Sequence, residues 1–266
     1  MPQNLPPEAL LDRDLFPGLA GRLPIGVMGS AFYPYRSCDS TQAQAARLAD
    51  AGAPEGSVVV ADAQTAGRGR HGRPWWGEPG NSILVSVILR PRIPVERTPH
   101  FSLLAAVSSR EALKSVTNLP IVIKWPNDLL VGGKKVAGIL VEGGSIDKRL
   151  LHLVVGIGVN TGQRGFPPDI EDRATSLTLA TGRPVSREEV AGALLHSLDQ
   201  WYRIYLDAGF PPVREAWRGG TATLGQWVRV PSQSLEGTAL DLDDDGALVL
   251  LGREGRRHRV IAGEIE

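Results

Sequence analysis

The chain has 266 residues, of which 42% are hydrophobic and 22% charged, so it can fold around a substantial core and is not a disordered segment. Its formal net charge is zero, which excludes a global basic field of the kind that attracts nucleic acids. Cys38 is the sole cysteine, which excludes an intramolecular disulfide and a thiolate zinc cage. The first residues lack the basic and apolar runs of a signal peptide, and no apolar stretch has the length of a membrane span. We therefore expect a cytoplasmic protein without a membrane partner.

The first half of the chain is predicted to begin with an extension and continue as a mixture of helix and strand. Residues 1–29, rich in Pro, Gly and Leu, form the extension, with one short helix around Glu8–Leu15. An Ala-rich helix is predicted over Gln42–Ala51, and Ser40 or Thr41 is a suitable N-cap for it. Two buried strands and the long Gly- and Arg-rich loop between them follow: Ser57–Asp62, Ser82–Leu89 and Ala63–Gly80.

Two more helices are predicted in the second half. Apolar residues at helical spacing indicate a helix over Phe101–Val116. The longest helix is predicted over Ser186–Asp207, where Ser186 and Glu189 form a capping box. Between these helices Gly132-Gly133 is a strong hairpin signal. Four short strands are predicted in this region: Ile121–Lys124, Asp128–Val131, Lys135–Glu142 and Leu150–Val159.

Beyond Gly219-Gly220 the pattern changes to short strands and tight turns such as DDDG. The predicted strands are Leu224–Val230, Leu235–Leu242, Ala247–Gly252 and Arg256–Ile261. A β-barrel of roughly 45 residues is too small to be robust alone, so we expect it to dock on the larger domain. The prediction is an α+β fold with a mixed sheet and flanking helices, divided into residues 1–29, 30–220 and 221–266.

The arginine loop, Ala66–Arg73 (AGRGRHGR), is the most informative segment of the sequence. It places Arg68, Arg70 and Arg73 between three glycines, so that backbone N–H groups and guanidinium groups can surround an anion. The Walker A pattern is absent. We expect these arginines to lack local acidic partners until a phosphate arrives, and the longer loop Ala66–Gly80 to be mobile until biotinyl-AMP binds. A solvated basic turn or an RNA contact would give the same pattern.

A second group of polar residues follows a predicted strand in the segment KWPND. Pro126 holds Trp125 in an extended conformation and ends the strand, which presents Asn127 and Asp128 at a turn. Lys135 begins an otherwise apolar strand, where a cation needs a partner such as a bound carboxylate or phosphate. A plain turn followed by a hairpin lysine is equally compatible with these residues.

Three weaker signals complete the set. Asp39–Thr41 precedes a helix and by default forms its N-cap, although two hydroxyls at a helix N-terminus can also hold a ligand with amide-like groups. Gln64 lies just before the arginine loop, and Gly156–Asn160 (GIGVN) ends a late strand without completing a Rossmann fingerprint. No GxSxG motif is present. The five histidines share no metal-ligand spacing: His71, His100, His152, His196 and His258.

In combination and order, five motifs closely resemble the biotin–protein ligase family. They are DSTQ (39–42), QTAGRGRHGRPWW (64–76), KWPNDLL (124–130), KKVAGILVE (134–142) and GIGVN (156–160). The resemblance covers roughly residues 30–265. It implies a catalytic domain related to class II aminoacyl-tRNA synthetases, a C-terminal SH3-like domain, and an ATP-dependent ligase. Such an enzyme activates biotin as biotinyl-5′-AMP and transfers it to a lysine of a biotin carboxyl carrier protein.

The resemblance also implies roles for individual residues. Those implied for biotin are Ser40, Thr41, Gln42, Gln64, Arg68, Gly69, Arg70, Lys135, Gly138 and Gly158. Those implied for ATP are Arg70, Arg73, Trp75, Lys124, Asn127, Asp128 and Asn160. Lys135, Arg70 and Asp128 are the implied catalytic residues. The family commonly has Asn where this chain has Gln42, which we expect to cap the same helix less tightly.

ATP and biotin are thus the expected substrates, with Mg²⁺ held mainly by phosphates, Asp128 nearby, and no metal cage made by the protein. With only 39 residues before Ser40, we expect a monofunctional ligase without a DNA-binding domain and no nucleic-acid partner. The sequence leaves the oligomeric state open. Lipoate–protein ligase is the nearest alternative, although polar residues at 39–41 and Gln64 favour a ureido ring over a dithiolane. A nucleic-acid-binding protein that uses the arginine loop and the barrel would instead bind in a strongly salt-dependent manner.

Overall fold

The computed structural model describes residues 11–12, 14–19, 26–147 and 149–266. Half of the predicted helix around Glu8–Leu15 falls outside these residues, and the half that is described is not helical. The described ranges contain eleven strands: β1 (Phe32–Cys38), β2 (Val58–Gln64), β3 (Ser82–Leu89), β4 (Val122–Lys124), β5 (Asp128–Val131), β6 (Lys134–Ile146), β7 (Arg149–Asn160), β8 (Trp227–Val230), β9 (Leu235–Leu242), β10 (Leu248–Leu251) and β11 (Arg257–Val260). The α-helices are α1 (Thr41–Asp50), α2 (Pro99–Thr117), α3 (Leu177–Thr181), α4 (Arg187–Ala208) and α5 (Pro211–Arg218).

Strands β1 to β7 form a mixed sheet in the order β1-β2-β3-β7-β6-β5-β4. Among the strands that the structure describes, β1 and β2 alone pair in parallel. The predicted mixed sheet with flanking helices is confirmed. β3 is buried at all eight positions, which explains its uninterrupted apolar sequence. β1 was not predicted, because Pro34 and Arg36 interrupt its pattern; proline is tolerated there because β1 is an edge strand.

The two faces of this sheet are covered unequally. One face packs against α2 and α4 in the main core, which includes Val155, Ile157 and Val159 of β7. The opposite face has a smaller core beneath α1, which Val154 of β7 joins. Because successive strand residues point to opposite faces, the glycines that follow Val154 at alternate positions of β7 lie on this second face. β7 therefore presents no side chain at these two positions of the face that α1 covers.

Local signals place the ends of the helices that support the sheet. The Ser186 hydroxyl accepts a hydrogen bond from the Glu189 N–H at the start of α4, as the capping box predicted. Asn118 ends α2 in the left-handed conformation, with φ of 57°. Gly132 and Gly133 both have positive φ in the β5–β6 turn, as a two-residue hairpin requires. Among the described residues, every helix is too short or too polar to traverse a lipid bilayer.

The C-terminal region forms a four-stranded antiparallel sheet in the order β11-β10-β9-β8. Glu266 exchanges two backbone hydrogen bonds with Arg229 of β8, so the chain end adds to this sheet's edge. The sheet docks on α2 and α5: Arg218 pairs with Asp241, and Arg214 lies 2.6 Å from Asp244. The expected docking of the small domain is therefore confirmed.

Candidate active site

Three glycines form the floor of the candidate site. Gly138 of β6 and Gly158 of β7 are directly paired, and Gly156 lies two residues before Gly158 on the same face. We call these three residues the glycine floor. Because none of them carries a side chain, a ligand can approach the backbone of the two central strands.

A cluster of hydrogen-bonded polar side chains borders the glycine floor at one end, called here the polar end. Gln64 Oε1 accepts hydrogen bonds from the Thr41 N–H (2.7 Å) and hydroxyl (3.1 Å). The Ser86 hydroxyl donates to Thr41 Oγ1 at 2.9 Å. Ser86 pairs with Gly156 in the β3–β7 register, which brings this cluster to the floor. The sequence analysis did not single out Ser86, although a hydroxyl within an apolar strand was the signal that could have found it.

Gln42 does not cap α1, contrary to our expectation from its place after the Ser-Thr pair. Its amide Nε2 instead donates to the Val154 carbonyl at 3.0 Å, and Oε1 lies 3.2 Å from the Ser86 hydroxyl. A Cβ placed on Gly156 would lie only 2.4 Å from this Oε1. The longer amide thus reaches β7 and fills the space above Gly156. Ser40 is the N-cap residue of α1, and its side chain makes no capping hydrogen bond.

Lys135 and Asp128 form an ion pair at the other end of the glycine floor, with Nζ and Oδ1 2.7 Å apart. Asp128 faces Gly138 across the β5–β6 pair. The Lys135 chain lies over the same glycine, because a Cβ there would be 2.9 Å from Lys135 Cε. The expected partner for this cation is thus present as Asp128, while both side chains keep about a third of their surface exposed.

The arginine loop has partners from distant parts of the chain. Arg70 donates to Asn127 Oδ1 at 3.3 Å and to the Gly263 carbonyl at 3.0 Å. Arg73 lies 2.6 Å from Glu264. We call Lys135, Asp128, Arg70 and Arg73 the cationic end.

Arg68 pairs with Glu142 of β6, with a guanidinium nitrogen 3.0 Å from the carboxylate. Arg68 and Arg73 thus have acidic partners before any phosphate arrives, although neither partner is local in sequence. Glu142 and Glu264 lie more than seventy residues away in sequence, so local sequence could not reveal them. Burial lowers the pKa of the Arg70 guanidinium, and the nearby Glu264 opposes this effect.

Trp75 lies on the glycine floor, although the resemblance assigns it to ATP. A Cβ placed on Gly158 would be 2.6 Å from its indole ring, and one placed on Gly138 would be 2.9 Å away. Lys135 Nζ is 5.5 Å from the ring centroid. The indole therefore occupies the space directly above both glycines.

The remaining predicted residues surround the cationic end or brace it. Asn127 donates through Nδ2 to the Ile139 carbonyl at 2.6 Å, which joins the KWPND turn to β6. Asn160 is buried and donates to the Thr175 carbonyl at 3.1 Å. Lys124 faces Asp128 in the β4–β5 register. The Gly69 N–H donates to the Arg73 carbonyl within the arginine loop.

The site is therefore an elongated slot with a polar end and a cationic end. A two-residue step along a strand covers about 7 Å and a step between strands about 5 Å, which places Gly156 and Gly138, at opposite ends of the floor, roughly 9 Å apart. These dimensions suit an organic acid with a polar ring at one end, a short chain, and a carboxylate at the other end. Within the described ranges, His, Cys, Asp and Glu side chains do not gather in groups of three or more that a metal ion could bind.

Comparison with known proteins matches both parts of the chain. Residues 34–160 match the Biotin/lipoate A/B protein ligase family, and residues 223–266 match the Biotin protein ligase C terminal domain. The bifunctional ligase/repressor BirA of Bacillus subtilis is 39% identical over 246 residues, which cover 90% of this chain and 75% of that protein. The chain belongs to the biotin protein ligase family. The predicted family is thereby confirmed.

Two further relatives agree with this placement. The biotin–[acetyl-CoA-carboxylase] ligase of Mycobacterium tuberculosis is 35% identical over 229 residues, covering 83% of this chain and 82% of that protein. The structure of the biotin protein ligase from Aquifex aeolicus in complex with biotin and ATP has a TM-score of 0.77 and 31% identity. It covers 89% of this chain and 98% of that one.

Proposed function

We propose that this protein activates biotin with ATP as biotinyl-5′-AMP and transfers it to a lysine of a biotin carboxyl carrier protein. The observation that carries the proposal is the slot, because its polar and cationic ends are separated by a floor without side chains. Biotin has a ureido ring, a four-carbon chain and a carboxylate in the matching order.

The polar end suits a ureido group. Gln64 Oε1 accepts hydrogen bonds from Thr41, which fixes the orientation of the Gln64 amide. The amide nitrogen points away from Thr41, and its N–H groups can donate to a ligand carbonyl. Hydroxyl groups at Ser40 and Thr41 can accept hydrogen bonds from ring N–H groups. Because Ser40 and Thr41 are buried and Gln64 is half-buried, the site should favour a ring that forms these hydrogen bonds over one that does not.

In the first step, a biotin carboxylate oxygen attacks the α-phosphorus of ATP, a new P–O bond forms, and pyrophosphate leaves. Two anions must approach each other, so catalysis depends on positioning and on neutralising charge. Lys135 lies over the floor where the carboxylate would end, and Arg70 is held nearby through Asn127. Their charges would stabilise the transition state as negative charge builds on the phosphoryl oxygens.

In the second step, the carrier lysine attacks the acyl carbon and AMP leaves. A free lysine has a pKa near 10.4 and arrives mostly protonated. Asp128 is the carboxylate at the cationic end and can orient the incoming amine or accept its proton. Its ion pair with Lys135 also keeps that lysine directed along the floor before substrate arrives.

Mg²⁺ fits this set of side chains as an ion held mainly by the phosphates of ATP. A single carboxylate, Asp128, at the cationic end is sufficient for such an ion, since Mg²⁺ at nucleotide sites often uses one or two carboxylates. When bound, it would supply further positive charge to the phosphoryl oxygens.

Lipoate is the alternative acid, and the family that matches residues 34–160 includes lipoate ligases. The C-terminal match and the polar end both favour biotin. ATP–pyrophosphate exchange with biotin or lipoate in separate reactions tests this directly. We expect exchange with biotin alone, and exchange that depends on lipoate alone would overturn the proposal.

Transfer is tested with a carrier domain and radiolabelled biotin. Label should enter the wild-type carrier and should not enter a variant whose acceptor lysine is replaced by arginine. A cytoplasmic location, the absence of operator binding and the domain boundaries at residues 30 and 221 stay predictions. Salt-resistant binding to a biotin-gene operator would contradict the second of these.

A further inference from the structure

The indole of Trp75 and the chain of the proposed substrate require the same space. Biotin's ring belongs at the polar end and its carboxylate at Lys135, so its alkyl chain must lie on the glycine floor. An alkyl chain in van der Waals contact with the backbone of these glycines would lie directly above it. The indole fills that space. A ligand and the indole cannot both lie on Gly138 and Gly158.

We propose that Trp75 is an autoinhibitory contact, which closes the slot in the substrate-free enzyme and is displaced when biotin binds. This inference rests on the proposed function, because it assigns the floor to biotin. It adds a role for Trp75 that precedes and is independent of any contact with ATP.

The surroundings of the indole indicate that a ligand can displace it from the glycine floor. Its Nε1–H is buried and finds no acceptor in the described part of the chain. A buried donor without a partner is unfavourable, so the ring is not held there by specific hydrogen bonding.

Movement of the arginine loop away from the glycine floor requires little free energy. The Trp75 N–H donates to the Gly67 carbonyl, and Gly72 and His71 have positive φ in the turn between them. The Arg73–Glu264 pair that holds the turn is largely exposed, and such pairs contribute little stability. Displacing Trp75 therefore disrupts no large part of the core.

A blocked slot has measurable consequences. Only molecules with Trp75 displaced can bind biotin, so the apparent affinity is reduced by the open fraction. If about a tenth of the molecules are open, removal of the indole tightens binding about tenfold. The observed binding rate in the wild type should also level off at high biotin concentration, since displacement of Trp75 becomes limiting.

The test compares Trp75→Ala with Trp76→Ala, using biotin without nucleotide. Trp76 is the neighbouring exposed tryptophan, which packs against Phe166 outside the slot. Calorimetry and rapid filtration with tritiated biotin should show tighter and faster binding by Trp75→Ala and wild-type behaviour for Trp76→Ala. Weaker or unchanged binding by Trp75→Ala would show that the indole is a wall of the site and overturn the proposal.

A spectroscopic test uses the intact wild-type enzyme labelled with 5-fluorotryptophan. The Trp75 resonance is identified by its loss in Trp75→Phe. Biotin alone should shift this resonance and increase its broadening by a soluble paramagnetic agent. Biotin binding with Trp75 unmoved would overturn only the autoinhibitory contact. Failure of biotin to bind the wild type and both alanine variants would instead refute the proposed function, and this inference with it.

Discussion

The two ends of the slot are built from different kinds of interaction. At the polar end, Thr41, Gln64 and Ser86 are bonded to one another and fixed on a helix and two strands. At the cationic end, the positive groups have half-exposed ionic partners, which come from β5 and from the chain end. Neutral groups that must recognise a ring have to be oriented in advance, because an unpaired buried polar group costs about 1–3 kcal/mol. Charged groups can hold provisional partners and exchange them for substrate anions at little cost.

The largest effect should come from Lys135→Ala, which removes the positive charge at the end of the floor. We expect the adenylation rate to fall about 10²–10³-fold, as for other single electrostatic stabilisers, because the charge that Lys135 meets grows along the reaction. Biotin affinity should change far less. Rapid-quench measurement of adenylate and calorimetry with biotin separate the two quantities.

Lys134→Ala is the matched control for this variant, because the Lys134 ammonium donates to the Glu171 carbonyl away from the floor. It should retain adenylation. Equal losses of biotin affinity and adenylation rate in Lys135→Ala would contradict a role specific to the transition state.

At the polar end, Gln64→Glu should weaken biotin binding about tenfold, the scale of one unmet hydrogen bond at a half-buried group. The new carboxylate can still accept from Thr41 but cannot donate to a ureido carbonyl. The rate at saturating biotin should stay near that of the wild type. Gln226→Glu adds the same charge at an exposed position and should leave the Michaelis constant for biotin unchanged. An unaltered constant in Gln64→Glu would remove Gln64 from ring recognition.

The smallest effect is expected from Glu264→Gln, which removes the provisional partner of Arg73. If ATP phosphates replace this carboxylate, its loss should lower the Michaelis constant for ATP by up to about fivefold, the scale of an exposed ion pair. The difference should shrink at high salt. Glu254→Gln, at an exposed turn, is the control. A higher constant would mean that Glu264 positions the arginine loop instead of competing with ATP.

Elements with strong local patterns were predicted closely. The predicted bounds of β3 and β5 match the structure, since each is framed by turn residues. The strand β1 was missed because its proline and charged residues are acceptable only at a sheet edge, and edge position is a property of the assembled sheet. Glu142 and Glu264 were not predicted as partners of the arginines, because contacts between residues far apart in sequence are also a property of the assembled fold.

By itself the sequence determined the chemical groups of the site. Glycine exposes the backbone to a ligand, and arginine and lysine supply positive charge, wherever these motifs lie in the fold. The sequence also determined the elements that present these groups, because hydrophobic periodicity and turn residues act over short distances. Only the tertiary structure decided that Gly138 pairs with Gly158, that Ser86 completes the polar end, and that Trp75 lies on the floor between the two ends. Those contacts depend on strand register and on the path of a loop, which residues far apart in sequence establish together.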